Sequence, residues 1–331
     1  MGLESLLPAV ATWFQTEVGE PTAPQRRAWP LIASGQHTLI SAPTGSGKTL
    51  AGFLACLDSL WRNPDRPRGV GVLYVSPLKA LNHDIARNLE GPLGGILETA
   101  ERLGDKLPPI SVAVRTGDTP QRERQRFATR PADVLITTPE SLHLLLTSRA
   151  RETLRSVRHV LIDEVHALCA NKRGVFLSLL LERLQALQPD REFLRIGMSA
   201  TQRPLDEVAR YLGGLRRVEG RFAFRPVAIV DAGVRKDLDI QVVTPAPLGV
   251  PLAERSVWPD IEGRLYDWVT THRSTIVFAN NRRLVERLTA RLNDRAASED
   301  RPEMAQAHHG SLKAVASSLV RELREGRPTT H

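Results

Sequence analysis

Short apolar runs recur along this chain at 38–40, 70–75, 110–114, 133–137, 157–162 and 193–198, and between them apolar residues return at helical spacing. The runs are nearly continuous in apolar side chains, as expected of strands covered on both faces, and the intervening segments predict amphipathic helices. Alternation of this kind predicts an α/β fold, a parallel sheet with helices on both faces. Ligands of such sheets bind at the carboxyl ends of the strands. Upstream, Leu3, Leu6, Leu7, Val10 and Phe14 mark a helix over 3–18 that stops at Gly19, and a short helix follows over 26–32.

The second half is thinner. After a helix over 205–212 and the stop Gly213-Gly214, a domain boundary is expected near 218–225, dividing 1–220 from 221–331. Segments 222–230 and 238–243 are β-rich, and 244–251 is a Pro-rich loop. A helix is then predicted over 258–271, a strand over 275–279 and a charged helix over 283–295.

Length changes little in this picture: 331 residues imply about two domains. A hydrophobic share of 41% and a charged share of 25% exclude wholesale disorder. Charge says more, because a formal +8 and a pI near 10.0 favour polyanionic partners. Cys56 and Cys169 are isolated in apolar helical context and read as buried, reduced thiols. No apolar run reaches membrane-span length and no basic segment precedes the first Leu-rich stretch, so no membrane partner and a cytoplasmic location are expected.

Candidate chemistry centres on T-L-I-S-A-P-T-G-S-G-K-T-L, residues 38–50, a strand, a Gly/Ser loop and a helix in succession. Gly45 and Gly47 let consecutive N–H groups turn inward, and the helix adds its positive end, so Thr44, Gly45, Ser46, Gly47, Lys48 and Thr49 form a concave anion site. Lys48 would reach the β/γ-phosphates of ATP and the Thr49 hydroxyl would bind Mg²⁺. Ala42 stands where the general motif has its first glycine. The strand 157–162 ends in Asp163-Glu164-Val165-His166, which offers a second Mg²⁺ anchor in Asp163 and a general base in Glu164. His166 would sense nucleotide state through the next strand end, Ser199-Ala200-Thr201. Gln25, just ahead of the loop, reads as an adenine contact or as a helix cap. Other strand ends carry Ser76-Pro77-Leu78-Lys79-Ala80-Leu81, Arg115-Thr116-Gly117-Asp118 and Thr137-Thr138-Pro139-Glu140, placed where a phosphate backbone can lie.

These motifs, in this order, resemble the DExH type of superfamily 2 helicases, and within it the large helicase-related (Lhr) proteins, from about Phe14 to Leu312. The resemblance implies a RecA-like first domain and a second, incomplete RecA-like domain. It makes A-P-T-G-S-G-K-T the family's own phosphate loop, Gln25 the adenine-contacting glutamine, and Ser199, Ala200 and Thr201 the link from hydrolysis to strand movement. It also implies nucleic-acid contacts at Pro77, Lys79, Arg115, Thr138 and Pro139. In the second domain, Asn280-Asn281-Arg282 and His308-His309-Gly310-Ser311-Leu312 match family elements, adding Asn280, Arg282, His309 and Gly310. Two further elements of the family, T-S-x-L-E-x-G-I-D and Q-x-x-G-R-x-x-R, do not occur in these 331 residues.

The function expected is an ATP-dependent helicase or translocase that couples Mg–ATP hydrolysis to movement on single-stranded DNA or RNA. The alternatives are a nucleotide- and strand-binding fragment with little turnover, and a P-loop ATPase unrelated to nucleic acid.

Overall fold

The computed structural model describes residues 2–200, 202–233, 239–244 and 257–307, and of residues 79–81 the backbone alone. Two compact units divide the chain, Met1–Lys236 and Asp237–His331.

The first unit opens with a 3₁₀ turn, Leu3–Ser5, and α1 (Pro8–Glu17) instead of one helix over 3–18. Pro8 is the reason: its fixed φ suits a first helical position, and it has no N–H to continue a preceding helix. Helix α2 (Ala23–Ala33) begins earlier than expected, because Thr22 and Gln25 form a reciprocal capping box that starts it at Ala23.

Strands and helices then alternate: β1 (Thr38–Ser41), α3 (Lys48–Trp61), β2 (Val72–Val75), α4 (Lys79–Arg102), β3 (Val112–Arg115), α5 (Gln121–Thr129), β4 (Val134–Thr137) and α6 (Pro139–Leu146). They continue through β5 (His159–Ile162), α7 (Val165–Cys169), α8 (Lys172–Ala186), β6 (Leu194–Ser199) and α9 (Leu205–Gly213). After these come β7 (Leu215–Val218), β8 (Arg221–Phe224) and β9 (Ala228–Asp231).

Seven strands form one sheet in the order β3-β4-β2-β5-β6-β1-β9, every neighbouring pair parallel. Alternate residues of each strand serve opposite cores, which is the two-residue period of a covered strand. Ile40, Tyr74 and Leu161 face a layer with Phe14, Trp29, Phe53 and Ile96. Leu39, Leu73, Val75, Val160 and Ile162 face another with Leu142, Leu177 and Leu205. Gly52 lets α3 lie close to the sheet, since a Cβ there would stand 3.0 Å from Leu161 Cδ2. Both cysteines are free, Cys56 buried and Cys169 only half-buried. No helix among the described residues is long and apolar enough to cross a membrane.

The expected boundary at 220/221 falls instead at Lys236, because β9 pairs with β1 as an edge strand of the first sheet. The buried Arg225 holds the approach to β9: its guanidinium donates to Gly213 O and Leu215 O and is paired with Glu182 and Glu192. The β-rich segment 222–230 is therefore split, its first part forming an antiparallel hairpin of β7 and β8.

In the second unit, α10 (Trp258–Thr271) and α11 (Arg282–Ser298) pack through Tyr266, Leu292 and Ala296. Residues 275–279 carry no strand hydrogen bonding, and neither do 239–243. A strand exists only against a partner, and Ile276 and Phe278 are 73% and 93% exposed with none among the described residues.

Candidate active site and nucleic-acid interface

Strand β1 ends at Ser41 and the chain turns at once into the loop 42–47. Gly45 and Gly47 both have φ of 81°, a left-handed conformation that favours glycine, and at Gly47 a Cβ would also displace the Gln25 amide, 2.6 Å away. The Lys48 ammonium folds back to donate to Ala42 O (2.6 Å) and Pro43 O (2.8 Å). Among the described residues the amides of Gly45, Gly47, Lys48 and Thr49 donate to no carbonyl, and the buried Ser46 hydroxyl has no partner. A fan of unspent donors at a helix N-terminus fits a polyphosphate.

Helix α2 closes the loop from the side. The Thr22 hydroxyl donates to Ser46 O at 2.9 Å. Gln25 is buried, accepting from Thr22 N–H at 2.8 Å and donating to Gly47 O at 3.4 Å. The structure thus brings Gln25 to the phosphate loop with its amide engaged in capping.

Strand β5 lies two places from β1, with β6 between, so the two ends stand about 10 Å apart on the same edge of a parallel sheet. Burial lowers the Lys48 pKa, and the Glu164 and Asp163 carboxylates at this edge pull the other way. Asp163 is aimed by two donors: the Tyr74 hydroxyl to Oδ2 and the Glu164 N–H to Oδ1 at 2.9 Å. Burial, and then Asp163 itself, push the Tyr74 phenol well above its usual range, so it remains a donor. Glu164 has φ 47° and ψ 45°, a left-handed conformation that costs about 1 kcal/mol or more outside glycine. That turn ends β5 and starts α7 within one residue, bringing Glu164 Oε2 within 3.2 Å of His166 Nδ1. The same Nδ1 lies 3.2 Å from the Ala200 amide and 3.4 Å from Ser199 Oγ. Nδ1 can serve the amide only as an acceptor and the carboxylate only as a donor, so the place of one proton selects between them.

Comparison with known proteins decides the family. The DEAD/DEAH box helicase family matches over residues 22–208, more than half of the chain. The chain belongs to the DEAD/DEAH box helicases. It is similar to the Lhr helicase/probable uracil glycosylase of Mycolicibacterium smegmatis, 46% identical over 95% of this chain and 22% of that protein. It is likewise similar to the Lhr helicase/uracil glycosylase of Escherichia coli, 43% identical over 95% of this chain and 21% of that protein. A solved structure of Mycobacterium smegmatis helicase Lhr bound to ssDNA and AMP-PNP superposes with a TM-score of 0.77 at 49% identity, covering 98% of this chain and 41% of that one. The chain thus spans about a fifth of the length of the two curated relatives.

The remaining strand ends of this helicase chain line up by register. Arg115 pairs with Thr137, Thr137 with Val75, and Val75 with Ile162, so Thr116, Thr138, Ser76 and Asp163 form the next row along one edge. Thr138 caps α6, accepting from Ser141 N–H at 3.4 Å, with Pro139 at the first helical position. Lys79 opens α4. Arg115 is half-buried, and its Nη1 is buried without a hydrogen-bond partner. In the second unit, Asn280 and Arg282 are exposed beside Asn281, whose side chain caps α11 at Leu284 N–H (2.9 Å). Thr201, His309 and Gly310 lie outside the described residues.

Two residues escaped the sequence reading. Tyr74 has no motif around it; its one signal is a hydroxyl inside an otherwise apolar strand. Arg173 of α8 donates to Pro77 O at 2.5 Å and makes a two-pronged pair with Glu140 at 2.6 and 2.9 Å, joining two of the strand-end turns. The Arg173 guanidinium holds the Glu140 carboxyl down at about 2.

Proposed function

We propose that this chain is the motor portion of an ATP-dependent nucleic-acid helicase or translocase. The observation that carries the proposal is that the loop of unspent amides after β1 and the Asp163-Glu164 tip of β5 stand at the same edge of one parallel sheet, with only β6 between them. Met1–Lys236 is then the ATP-binding RecA-like domain, and the second unit begins the C-terminal RecA-like domain. Thr44, Gly45, Ser46 and Gly47 wrap the phosphates of ATP, Lys48 holds the β/γ oxygens, and Gln25 exchanges its loop contact for the adenine edge. Thr49 and Asp163 would hold Mg²⁺, which would neutralise charge on the phosphates. Glu164 takes the proton of the attacking water. His166, Ser199, Ala200 and Thr201 pass the state of the site to the neighbouring strand end.

Single-stranded DNA, or RNA, lies along the carboxyl-end row on Pro77, Lys79, Arg115, Thr138 and Pro139. Asn280, Arg282, His309 and Gly310 are the second unit's own strand contacts. The buried, unpartnered Nη1 of Arg115 supports a phosphate there, since a buried donor without a partner costs about 1–3 kcal/mol. The bound ssDNA and AMP-PNP of the M. smegmatis structure support the same reading. Cytoplasmic residence and a part in DNA repair belong to this proposal.

The test is phosphate release by this chain, with and without single-stranded DNA or RNA, beside a version extended through the two absent family elements. Nucleotide binding by both and strand-stimulated release by the extended form are expected; no stimulation in either form overturns the proposal. Within that assay, Tyr74→Phe removes one of the two donors that aim Asp163. The Mg²⁺ concentration for half-maximal turnover is expected to rise about 10–100-fold, the usual effect of losing an outer-shell partner of a metal ligand. An unchanged Mg²⁺ titration would remove Tyr74 from the site.

A further inference from the structure

Helix α5 begins just after the Arg115–Asp118 strand end. Its sequence, Q-R-E-R-Q-R-F-A-T, holds three arginines and one acid, and Arg130 follows at its C-cap. Phe127 alone is buried and anchors the helix to the body. Arg124 turns back to brace the preceding turn, donating to Thr119 O (2.8 Å) and Gly117 O (2.6 Å). Arg122 and Arg126 are exposed and four residues apart on one face of the helix, a step of about 6 Å, and the exposed Arg130 follows at the non-helical C-cap.

Electrostatics within the protein works against this row. Like charges at this spacing cost an isolated helix about 0.2–0.5 kcal/mol per pair. Arg122 also stands in the first turn, at the positive end of the helix dipole. None of the three has an ion-pair partner among the described residues, although Glu123 is three residues from Arg126. Other helical arginines of this unit have close acids, Arg62 with Asp58, Arg173 with Glu140 and Arg210 with Glu207, although several more, such as Arg87 and Arg183, have no ion pair among the described residues either. Exposed cations without ion-pair partners, on the helix that follows the strand end carrying the unpartnered Nη1 of Arg115, are matched by a polyanion leaving the carboxyl-end row.

We propose that Arg122, Arg126 and Arg130 grip the backbone phosphates of the single strand beyond the carboxyl-end loops, extending its path down the outer face of α5. The proposal rests on the strand-binding reading above and adds a place where the strand goes. The contacts are to phosphate, so they add affinity and salt dependence without sequence preference.

The test is the affinity of this chain for two labelled oligothymidylates across a salt series, one long and one reaching only across the carboxyl-end loops. Replacing the three arginines with glutamine leaves Phe127 in place and removes like-charge repulsion, so the thermal midpoint should not fall. For the long strand, the slope of log K against log salt should become shallower by about 2, three contacts at roughly 0.7 each for single strands. Binding of the short strand should not change, and the triple lysine variant should restore the slope. An unchanged slope or an equal loss on both strands overturns the proposal. If the unmodified chain binds neither strand, it is the strand-binding reading itself that fails.

Discussion

Lys48→Ala lowers strand-stimulated ATP turnover by about 10²–10³-fold, the usual loss when one charge-stabilising donor is removed from a transition state. The Lys48 ammonium is buried, already desolvated, and held by two carbonyls of its own loop, so little reorganisation is needed to bring it onto a phosphate. Its loss also leaves Asp163 and Glu164 without the cation that offsets them, which opposes the approach of a triphosphate. Nucleotide affinity therefore falls together with turnover. Folding should not suffer, because burying an ammonium costs energy that alanine does not incur. Phosphate release and nucleotide-binding titrations on the extended form read both effects; a variant that binds and turns over ATP normally removes Lys48 from the reaction.

Glu164→Gln separates binding from chemistry. Gln has the same length and the same backbone preferences, so the left-handed turn at φ 47° and the amide that aims Asp163 are retained. What is lost is the carboxylate that accepts a proton, and general-base contributions of this kind are about 10²–10⁴-fold. Turnover should fall by that amount while ATP and strand are still bound, giving a trapped complex visible as undiminished strand affinity in the presence of ATP. Loss of nucleotide binding in parallel with turnover would instead assign Glu164 to the binding surface. On the proposed reading, in which Lys48 and Glu164 act on one bound triphosphate, the double variant should be no slower than the more severe single change.

Most of the first unit could be read in advance because its strands are short, apolar and separated by helices of regular period, and local pattern is enough to predict such elements. The phosphate loop was legible for a similar reason: Gly45, Gly47, Lys48 and Thr49 are contiguous, and their geometry is set within one turn of chain. Asp163, Glu164 and His166 were also found as a contiguous group. Tyr74 and Arg173 were not, since each acts only across strands or between helices far apart in sequence. The strand at 275–279 was expected from composition, yet a strand is a relation between two segments, and Ile276 and Phe278 have no partner among the described residues.

The sequence by itself determined the alternation of elements, the phosphate loop and the acidic strand tip, because each is specified by side chains within a few residues of one another. Only the tertiary structure decided that β9 belongs to the first sheet, that Tyr74 aims Asp163, that Gln25 clasps the loop, and that Arg173 ties two strand-end turns together. Those relations depend on strand order and register, which bring residues dozens of positions apart to within hydrogen-bond distance and leave no trace in local periodicity.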